Sequence, residues 1–338
     1  MTEFRRDPIA GRWVIVNHEE QIDPKEFSML YPAVQKVNQD KCFFCPGKEW
    51  ATPKEVYAYR PDGSPADAPG WKVRVVPNKF PALVIEGDID RRPVGLYDMS
   101  NGVGAHEVII ETPDHNQTLA DLSFEDMAEV IKAYRARLLD LKHDKRFKYM
   151  LIFKNFGLSA GASVEHDHSQ IIALPMVPKN VHEELLGAER YFKYRERCIF
   201  CDLWQQEKQE AERIVYENSQ FITFCPFVSR FPFEMCIMPK EHMSCLAELS
   251  DNALTEFAKA LKDALKRLQT LLNNPPYNFV IHIAPVQNEY SEEKEYYHWH
   301  VEIMPRISRV AGFEWGSGFY ILPGSPEESA KMLKQVIW

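Results

Sequence analysis

Residues 165–170 of this 338-residue chain read Glu-His-Asp-His-Ser-Gln, and an apolar run that starts at Tyr149 precedes them. If the stretch is extended, side chains two positions apart share a face, so His166, His168 and Gln170 point the same way. A neutral imidazole is a nucleophile near pH 7, and a carboxamide can donate a hydrogen bond to a phosphate oxygen. The pattern therefore predicts a site for an anionic phosphorus centre.

A loop of small residues lies just before this stretch. Its last part, Gly161-Ala162-Ser163-Val164, has so little side-chain bulk that backbone amides can approach phosphate oxygens. A plain connecting loop has the same composition, so the segment supports a phosphate site only in combination with His168.

The chain contains an internal repeat. In each half a Cys-x-x-Cys pair is followed by a strand, a histidine eight residues before a helix-capping serine, a long helix, another strand and a His-x-His pair. The matched residues are Cys42, Cys45, His115, Ser123 and His166, then Cys198, Cys201, His242, Ser250 and His298. This order predicts an α+β protein of two related halves, each an antiparallel sheet with a long helix packed against it. We expect the halves to span residues 1–175 and 195–338, with a linker near 175–197 and a long loop over 84–104.

Each half supplies two thiolates and two imidazoles, the ligand set of a closed, tetrahedral, structural zinc site. The repeat predicts one zinc site at Cys42, Cys45, His115 and His166 and a second at Cys198, Cys201, His242 and His298. A redox pair would also explain a single Cys-x-x-Cys, but neither pair begins with Trp-Cys-Gly. Zinc on His166 would fix the backbone near His168, and we expect one ring nitrogen of His168 to donate to a backbone carbonyl so that the other can attack.

Composition narrows the possible classes of protein. Apolar residues make up 45% of the chain and charged residues 26%, as in soluble globular proteins, and the net charge of −9 argues against a nucleic-acid partner. The amino terminus has no apolar signal core, and no later run approaches membrane-spanning length. Seven cysteines, four of them in Cys-x-x-Cys pairs, indicate metal or redox chemistry in a reducing cytoplasm. A zinc-ribbon module would bring its second cysteine pair within about 15–20 residues and carry basic charge, and this chain does neither.

Further motifs are spread over nearly the whole chain. They are Cys42-x-x-Cys45, Pro77-Asn78-Lys79-Phe80-Pro81-Ala82-Leu83, Asp114-His115, Asn155, His166-x-His168-x-Gln170 and Gly312-Phe313-Glu314. Together they resemble the galactose-1-phosphate uridylyltransferase family, the transferase branch of the histidine-triad superfamily. The resemblance implies two histidine-triad-like halves. Histidine-triad hydrolases have a third histidine where this chain has Gln170. The resemblance therefore also implies group transfer through a nucleotidyl-histidine rather than hydrolysis.

The resemblance implies a role for each motif. His168 is the nucleophile and Gln170 binds the phosphate. The nucleotide is held by Asn78, Asn155, Gly161, Ala162, Ser163 and Val164. The sugar is bound with help from Gly312, Phe313 and Glu314, which reach the site of the partner subunit in a homodimer. The implied activity is that of a zinc-containing UDP-glucose–hexose-1-phosphate uridylyltransferase, which acts on a nucleotide sugar and a sugar 1-phosphate by a ping-pong route.

Three departures from the family pattern bear on the substrate. The best-studied uridylyltransferases have Pro and Gly where this chain has Asp167 and Ser169, and their Asn-Asp-Phe is Asn-Lys-Phe at residues 78–80. Ser169, Lys79 and the second Cys-x-x-Cys pair look more like the ADP-glucose phosphorylase branch, so adenylyl transfer is the alternative activity. An Arg-rich segment expected shortly after Trp13 is absent, because residues 17–23 contain no arginine.

The second half raises two further alternatives. Some relatives build a second metal site that would use Glu184, His282, His298 and His300, all of which are present. We prefer the cysteine scheme, because thiolates are the stronger zinc ligands. Glu302 stands where the first half has Gln170, and a carboxylate repels phosphate, so we expect only the first half to be catalytic.

Overall fold

The computed structural model describes residues 1–20, 22–30, 33–34, 39–286 and 292–338. The strands are β1 (Thr2–Arg6), β2 (Trp13–Asn17), β3 (Tyr57–Tyr59), β4 (Val73–Pro77), β5 (Arg92–Val94), β6 (Tyr97–Met99), β7 (Ala105–Ile110), β8 (Tyr149–Phe156), β9 (His168–Leu174), β10 (Ile214–Glu217), β11 (Phe221–Phe224), β12 (Met235–Pro239), β13 (Tyr277–His282), β14 (His300–Pro305) and β15 (Tyr320–Pro323). The helices are α1 (Pro24–Leu30), α2 (Phe124–Leu141), α3 (Lys179–Arg195), α4 (Ile199–Glu210), α5 (Asp251–Leu271), α6 (Glu293–Tyr296), α7 (Gly312–Ser317) and α8 (Pro326–Gln335). Within these ranges, no helix has both the length and the apolar character needed to cross a membrane.

Ten strands form one antiparallel sheet in the order β10-β11-β12-β14-β13-β8-β9-β7-β4-β3. Five consecutive strands come from each half, and their order in one half mirrors the order in the other. The halves join where β8 pairs with β13, with Phe153 opposite Val280. The predicted α+β fold of two repeated histidine-triad-like halves is confirmed, and the sheets of the two halves are continuous.

The two long helices begin where the sequence signals placed them. The Oγ atom of Ser123 accepts a hydrogen bond from the backbone of Asp126 at the start of α2, and that of Ser250 does the same with Ala253 at the start of α5. The helices contact each other, and each packs on strands of its own half. They bury the apolar side of the sheet, so a side chain of β9 points either to the helices or to the opposite face.

The structure adds a helix to the expected linker and contradicts the expected long loop. The expected linker near 175–197 contains the 17-residue helix α3, because Val181, Leu185 and Ala188 recur at helical spacing and are buried. The expected long loop over 84–104 contains the antiparallel pair β5 and β6.

A small second sheet joins the two ends of the chain. Strand β2 pairs antiparallel with β1 and parallel with β15. The amino-terminal strands therefore lie against the carboxyl-terminal tail, and this pairing crosses the expected division between the halves.

Candidate active site

His168 is the first residue of β9, and only 6% of its surface is exposed. Its Nδ1 atom donates to the carbonyl oxygen of His166 over 2.8 Å. Because a carbonyl oxygen can only accept, Nδ1 carries the hydrogen and the neutral ring has its lone pair on Nε2. The ring of Phe44 packs edge-on against the imidazole, with 5.4 Å between centroids. The surroundings thus select the tautomer that a nucleophilic Nε2 requires.

His168 lines a cavity of about 850 Å³. Strand β8 contributes Asn155 to the lining, and the loop before β9 contributes residues 162–164. Two cationic side chains, Arg306 and Arg309, follow the end of β14 and line the same cavity. A cavity of this size that combines an imidazole, an amide and two guanidinium groups suits a ligand that carries phosphate.

The loop between β8 and β9 depends on two glycines. Gly157 and Gly161 have φ angles of +84° and +89°, in the region that favours glycine, and they bracket a short 3₁₀ turn over Leu158–Ala160. The side-chain amide of Asn278 donates to Oδ1 of Asn155 over 2.7 Å and to the carbonyl oxygen of Ala160 over 2.8 Å. A residue of the second half therefore fixes this loop beside His168.

Gln170 lies on the same face of β9 as His168 and is oriented by His106 on β7. The backbone N–H of Ala82 donates to Nδ1 of His106 over 3.2 Å, so the ring hydrogen is on Nε2. That Nε2 atom is 2.8 Å from Oε1 of Gln170, to which it donates. The amide nitrogen of Gln170 is therefore the end that remains to donate to a ligand. Nδ2 of Asn78 lies 3.1 Å from the same imidazole nitrogen, which places Asn78 beside Gln170.

The first Cys₂His₂ set forms a buried cluster. Sγ of Cys42 lies 3.6 Å from Nδ1 of His166, and Sγ of Cys45 lies 3.5 Å from Nδ1 of both His115 and His166. In a tetrahedral zinc site with bonds of about 2.3 Å to sulfur and about 2.0 Å to nitrogen, such atoms lie about 3.5 Å apart, so the residues fit zinc. Nε2 of His166 donates to the carbonyl oxygen of Thr112 over 2.7 Å, which directs the lone pair of Nδ1 to the cluster.

The second Cys₂His₂ set forms an equivalent cluster. Sγ of Cys201 lies 3.4 Å from Nδ1 of both His242 and His298, and Nε2 of His242 donates to the carbonyl oxygen of Lys294 over 2.8 Å. Cys198 immediately precedes α4, and hydrogen bonds from Cys201 and the imidazoles lower the pKa of its thiol below its usual range. A thiolate among imidazole nitrogens is a ready ligand for a cation.

Both halves of the chain match known domains. Residues 1–178 match the galactose-1-phosphate uridyl transferase N-terminal domain, and residues 184–334 match the C-terminal domain. The chain belongs to the galactose-1-phosphate uridylyltransferase family. The resemblance inferred from the motifs is thereby confirmed, and the protein is a nucleotidyltransferase of this family.

Relatives from two branches of the family cover the whole chain. An ADP-glucose phosphorylase of Arabidopsis thaliana is 35% identical over 336 residues, which cover 99% of this chain and 93% of that protein. A galactose-1-phosphate uridylyltransferase of Thermotoga maritima is 29% identical over 343 residues, which cover 99% of this chain and 98% of that protein. The crystal structure of an ADP-glucose phosphorylase from Arabidopsis thaliana with bound ADP-glucose has a TM-score of 0.83 and 33% identity, with 100% of both chains covered.

In this family member, the residues expected to bind the nucleotide lie in two adjoining groups. His168, Asn155 and residues 162–164 line the large cavity. Gln170 and Asn78 meet at His106 on the same face of the sheet. Gly161 does not line the cavity but shapes the turn that leads to residues 162–164.

The residues expected to bind the sugar lie in the first turns of α7. Gly312, Phe313 and Glu314 do not line the cavity, whereas their neighbours Val310 and Trp315 do. Oε2 of Glu314 accepts from the backbone N–H of Ala311, so this carboxylate caps α7. Contact of residues 312–314 with a partner subunit stays a prediction.

The structure separates the two metal schemes of the second half. Nδ1 of His298 points to Cys201, while Glu184, His282 and His300 form a separate buried group whose candidate ligand atoms converge. Nδ1 of His282 lies 3.0 Å from Glu184. Although burial opposes it, this contact raises the pKa of His282 and lowers that of Glu184, as in an ion pair. Among the described residues, His298 thus belongs to the cysteine cluster and not to the group of Glu184, His282 and His300.

In the second half, Glu302 occupies the position that corresponds to Gln170, and its side chain is charged. Oε2 of Glu302 accepts from the guanidinium group of Arg230 over 2.8 Å. Burial alone would raise the pKa of Glu302, but Arg230 and two nearby imidazoles lower it below its usual range. Glu302 is thus a carboxylate at neutral pH, beside a smaller cavity of about 350 Å³ that His300 also lines.

Sequence reasoning missed several residues of the first site. Arg306 directly follows β14 and Arg309 lies three residues further on, so two basic residues after a strand adjacent to the seam were an available signal. His106 is another residue of the site that the sequence motifs do not indicate. Its side chain lies diagonally across from Gln170 in the β7–β9 ladder, which becomes visible only once the register is known.

Proposed function

We propose that this protein transfers a nucleotidyl group from a nucleotide sugar to a second phosphate-bearing acceptor through a covalent intermediate on His168. The observation that carries the proposal is the hydrogen bond from Nδ1 of His168 to the carbonyl oxygen of His166. It leaves the lone pair on Nε2, in a ring that lines a cavity with two arginines.

The proposed reaction has two matched steps. In the first, Nε2 of His168 attacks the α-phosphorus, the N–P bond forms, and the bond from phosphorus to the bridging oxygen breaks, which releases hexose 1-phosphate. In the second, a phosphate oxygen of the acceptor attacks the same phosphorus and the N–P bond breaks. Gln170 donates from its amide nitrogen to a non-bridging oxygen, and Arg306 and Arg309 attract the anionic acceptor.

Zinc has a structural role in this proposal. Cys42, Cys45, His115 and His166 would hold one ion, and Cys198, Cys201, His242 and His298 a second. When bound, the first ion would fix the position of His166, whose carbonyl oxygen orients the ring of His168.

Different observations support UDP-glucose and ADP-glucose as the nucleotide-sugar donor. UDP-glucose with a hexose 1-phosphate acceptor follows from the family and from the Thermotoga maritima relative. ADP-glucose with inorganic phosphate is favoured by the higher identity to the Arabidopsis thaliana phosphorylase and by Ser169, Lys79 and the second cysteine pair. We place ADP-glucose first on this balance.

We also propose that the protein is a cytoplasmic homodimer with halves at residues 1–175 and 195–338. Phe313 and Trp315 support the dimer, because these large apolar side chains are exposed beside the cavity. Light scattering on the purified protein tests the dimer, which predicts twice the mass of the 39.3 kDa chain.

Intact-protein mass spectrometry tests the activity. The protein is incubated with UDP-glucose and, separately, with ADP-glucose, and the mass gained identifies the nucleoside. We expect an adenylyl adduct that inorganic phosphate removes, or a uridylyl adduct that galactose 1-phosphate removes. Absence of an adduct with either donor, together with hydrolysis of both, would contradict transfer through a covalent intermediate.

A further inference from the structure

The side of β9 opposite the cavity carries a buried ionic network centred on Lys154 of β8. Its Nζ atom lies 2.5 Å from Oε2 of Glu111, 2.9 Å from Oδ1 of Asp167 and 3.1 Å from the carbonyl oxygen of His168. These three acceptors match the three N–H groups of an ammonium ion. Lys154 is 0% exposed, and burial alone would lower its pKa, but the two carboxylates raise it.

The network extends to the residues on either side of His168. The second carboxylate oxygen of Asp167 accepts from the backbone N–H of Leu119. The hydroxyl of Ser169 donates to the phenol oxygen of Tyr134 over 2.8 Å, and the phenol donates to Glu111 over 2.9 Å. The chain before and after the imidazole is thus tied to α2 and to the turn before it.

The two residues that depart from the pattern of the uridylyltransferases, Asp167 and Ser169, both belong to this network. Asp167 is among the residues that line the cavity, but its two carboxylate oxygens are bound by Lys154 and by the backbone N–H of Leu119. Ser169 is fully buried, and strand alternation directs its side chain to the face opposite His168. Both side chains are thus engaged inside the protein, where they act on the position of the backbone that carries the imidazole.

The second half shows that the His-x-His geometry forms without such a network. Register and repeat place Ile281, Trp299 and Val301 where the first half has Lys154, Asp167 and Ser169. All three are buried apolar residues. His300 still donates from Nδ1 to the carbonyl oxygen of His298, over 3.1 Å.

The stability of the fold does not explain why the first half has a buried ionic network where the second half has apolar residues. Replacing a buried ion pair with packed apolar groups is often neutral or stabilising, and the second half uses the apolar packing. The network is found in the half whose histidine lines the larger cavity.

We infer that Lys154 is a positioning residue for His168, which it holds through Asp167 and through the carbonyl oxygen of His168 itself. The inference rests on the proposed function for its effect on rate. The same network fixes the backbone near His168, including the carbonyl oxygen of His166 that selects the tautomer of the ring.

The test compares three variants with the full-length wild type. Lys154→Met removes the ammonium. The neutral triple variant Lys154→Met/Glu111→Gln/Asp167→Asn removes it without leaving a buried charge unpaired, so it remains measurable if the single variant does not fold. Lys262→Met is the matched control, because Lys262 is also a buried lysine that donates to a main-chain carbonyl, that of Leu122, but on α5.

Two readouts separate positioning from general stability. At saturating donor, formation of the nucleotidyl-enzyme should slow by about 10–100-fold in both Lys154 variants, because a misplacement of about 1 Å can cost 100-fold. The dissociation constant for the nucleotide sugar should stay within about twofold, since the loss is in the transition state. In ¹⁵N NMR of labelled histidine, His168 should change from the Nδ1–H form to a mixture of tautomers. Lys262→Met should change neither readout.

The outcomes distinguish this inference from the proposed function. A wild-type rate and an unchanged His168 tautomer in the neutral triple variant would overturn the inference, and so would an equal loss in Lys262→Met. If wild-type His168 never acquires a nucleotide, the proposed function fails. The tautomer spectra then decide whether Lys154 positions the ring.

Discussion

Nδ1 of His168 lies 2.8 Å from the carbonyl oxygen of His166, and Nδ1 of that same His166 faces two cysteine sulfurs. His166 therefore connects the first Cys₂His₂ cluster to the ring of His168, which faces the cavity. The second half repeats the relationship between His300 and His298 at 3.1 Å. The two halves differ in what surrounds this shared arrangement, and the predictions below depend on those differences.

The chain should bind two zinc ions, one in each Cys₂His₂ cluster. Cys45→Ser and Cys201→Ser should each reduce the bound zinc from two ions to one, as measured by elemental analysis and anomalous scattering. Cys245→Ser is the control, because Cys245 lies outside the clusters and its side chain only caps a 3₁₀ turn, which serine can also do. Zinc at the first cluster alone, or a metal on Glu184 and His282, would contradict the symmetric assignment.

Only the first half should carry out nucleotidyl transfer. His300→Asn should leave transfer largely intact, because the carboxylate of Glu302 beside His300 repels phosphate, whereas His168→Asn should abolish it. Single-turnover transfer of labelled nucleotide measures both. Comparable losses in the two variants would mean that the second half carries chemistry, or a metal that the chemistry needs.

Gln170→Ala should slow both half-reactions while the adduct still forms. Losing one hydrogen bond to a charged oxygen costs about 1.5–3 kcal/mol, or about 10–150-fold in rate if the bond acts in the transition state. His106→Phe should have a smaller effect, about 2–10-fold, because it removes two neutral hydrogen bonds, one that orients the amide of Gln170 and one from the backbone of Ala82, and none to the substrate. An effect of His106→Phe larger than that of Gln170→Ala would mean that His106 acts on the substrate directly.

The contact between the two halves at Asp121 and Lys266 should be sensitive to acid. Burial alone would raise the pKa of Asp121, but hydrogen bonds from Lys266 and Thr118 lower it from 3.8 to about 2. A lowered carboxyl pKa stabilises the folded state above the unfolded pKa, and the stabilisation disappears as pH falls from 3.8 towards about 2. Denaturant titrations should therefore show that Asp121→Asn lowers the free energy of unfolding at pH 6 and that the difference shrinks across this window. A difference independent of pH would refute the assignment, and Lys266→Met should reduce the same pH dependence.

Much of the fold could be predicted because its signals are local or repeated. Ser123 and Ser250 cap the long helices, and the matched cysteines and histidines form two clusters as their spacing indicated. The seam between β8 and β13 has no local signal, since any strand edge offers the same backbone groups. It follows that the merging of the two sheets, and the approach of Asn278 to Asn155, could not be derived from the sequence.

The environment of the site was harder to predict for the same reason. Lys154 follows five apolar residues in β8, and this was a visible signal of a buried charge. Its partners Glu111 and Asp167 come from two other segments, so the network depends on strand register. Residues of the expected linker form α3, and this helix carries Glu184 towards His282, a contact that the sequence alone does not indicate.

The position of the covalent bond tests the central claim most directly. Wild type and His168→Gly are incubated with donor labelled in the α-phosphate, and the label is mapped by peptide mass spectrometry. The account predicts label on residue 168 of the wild type alone. His168→Gly should still bind zinc and nucleotide sugar, and added imidazole should enter the vacated space and restore part of the transfer. Label on any other residue, or a nucleotidyl-enzyme formed by His168→Gly, would contradict it.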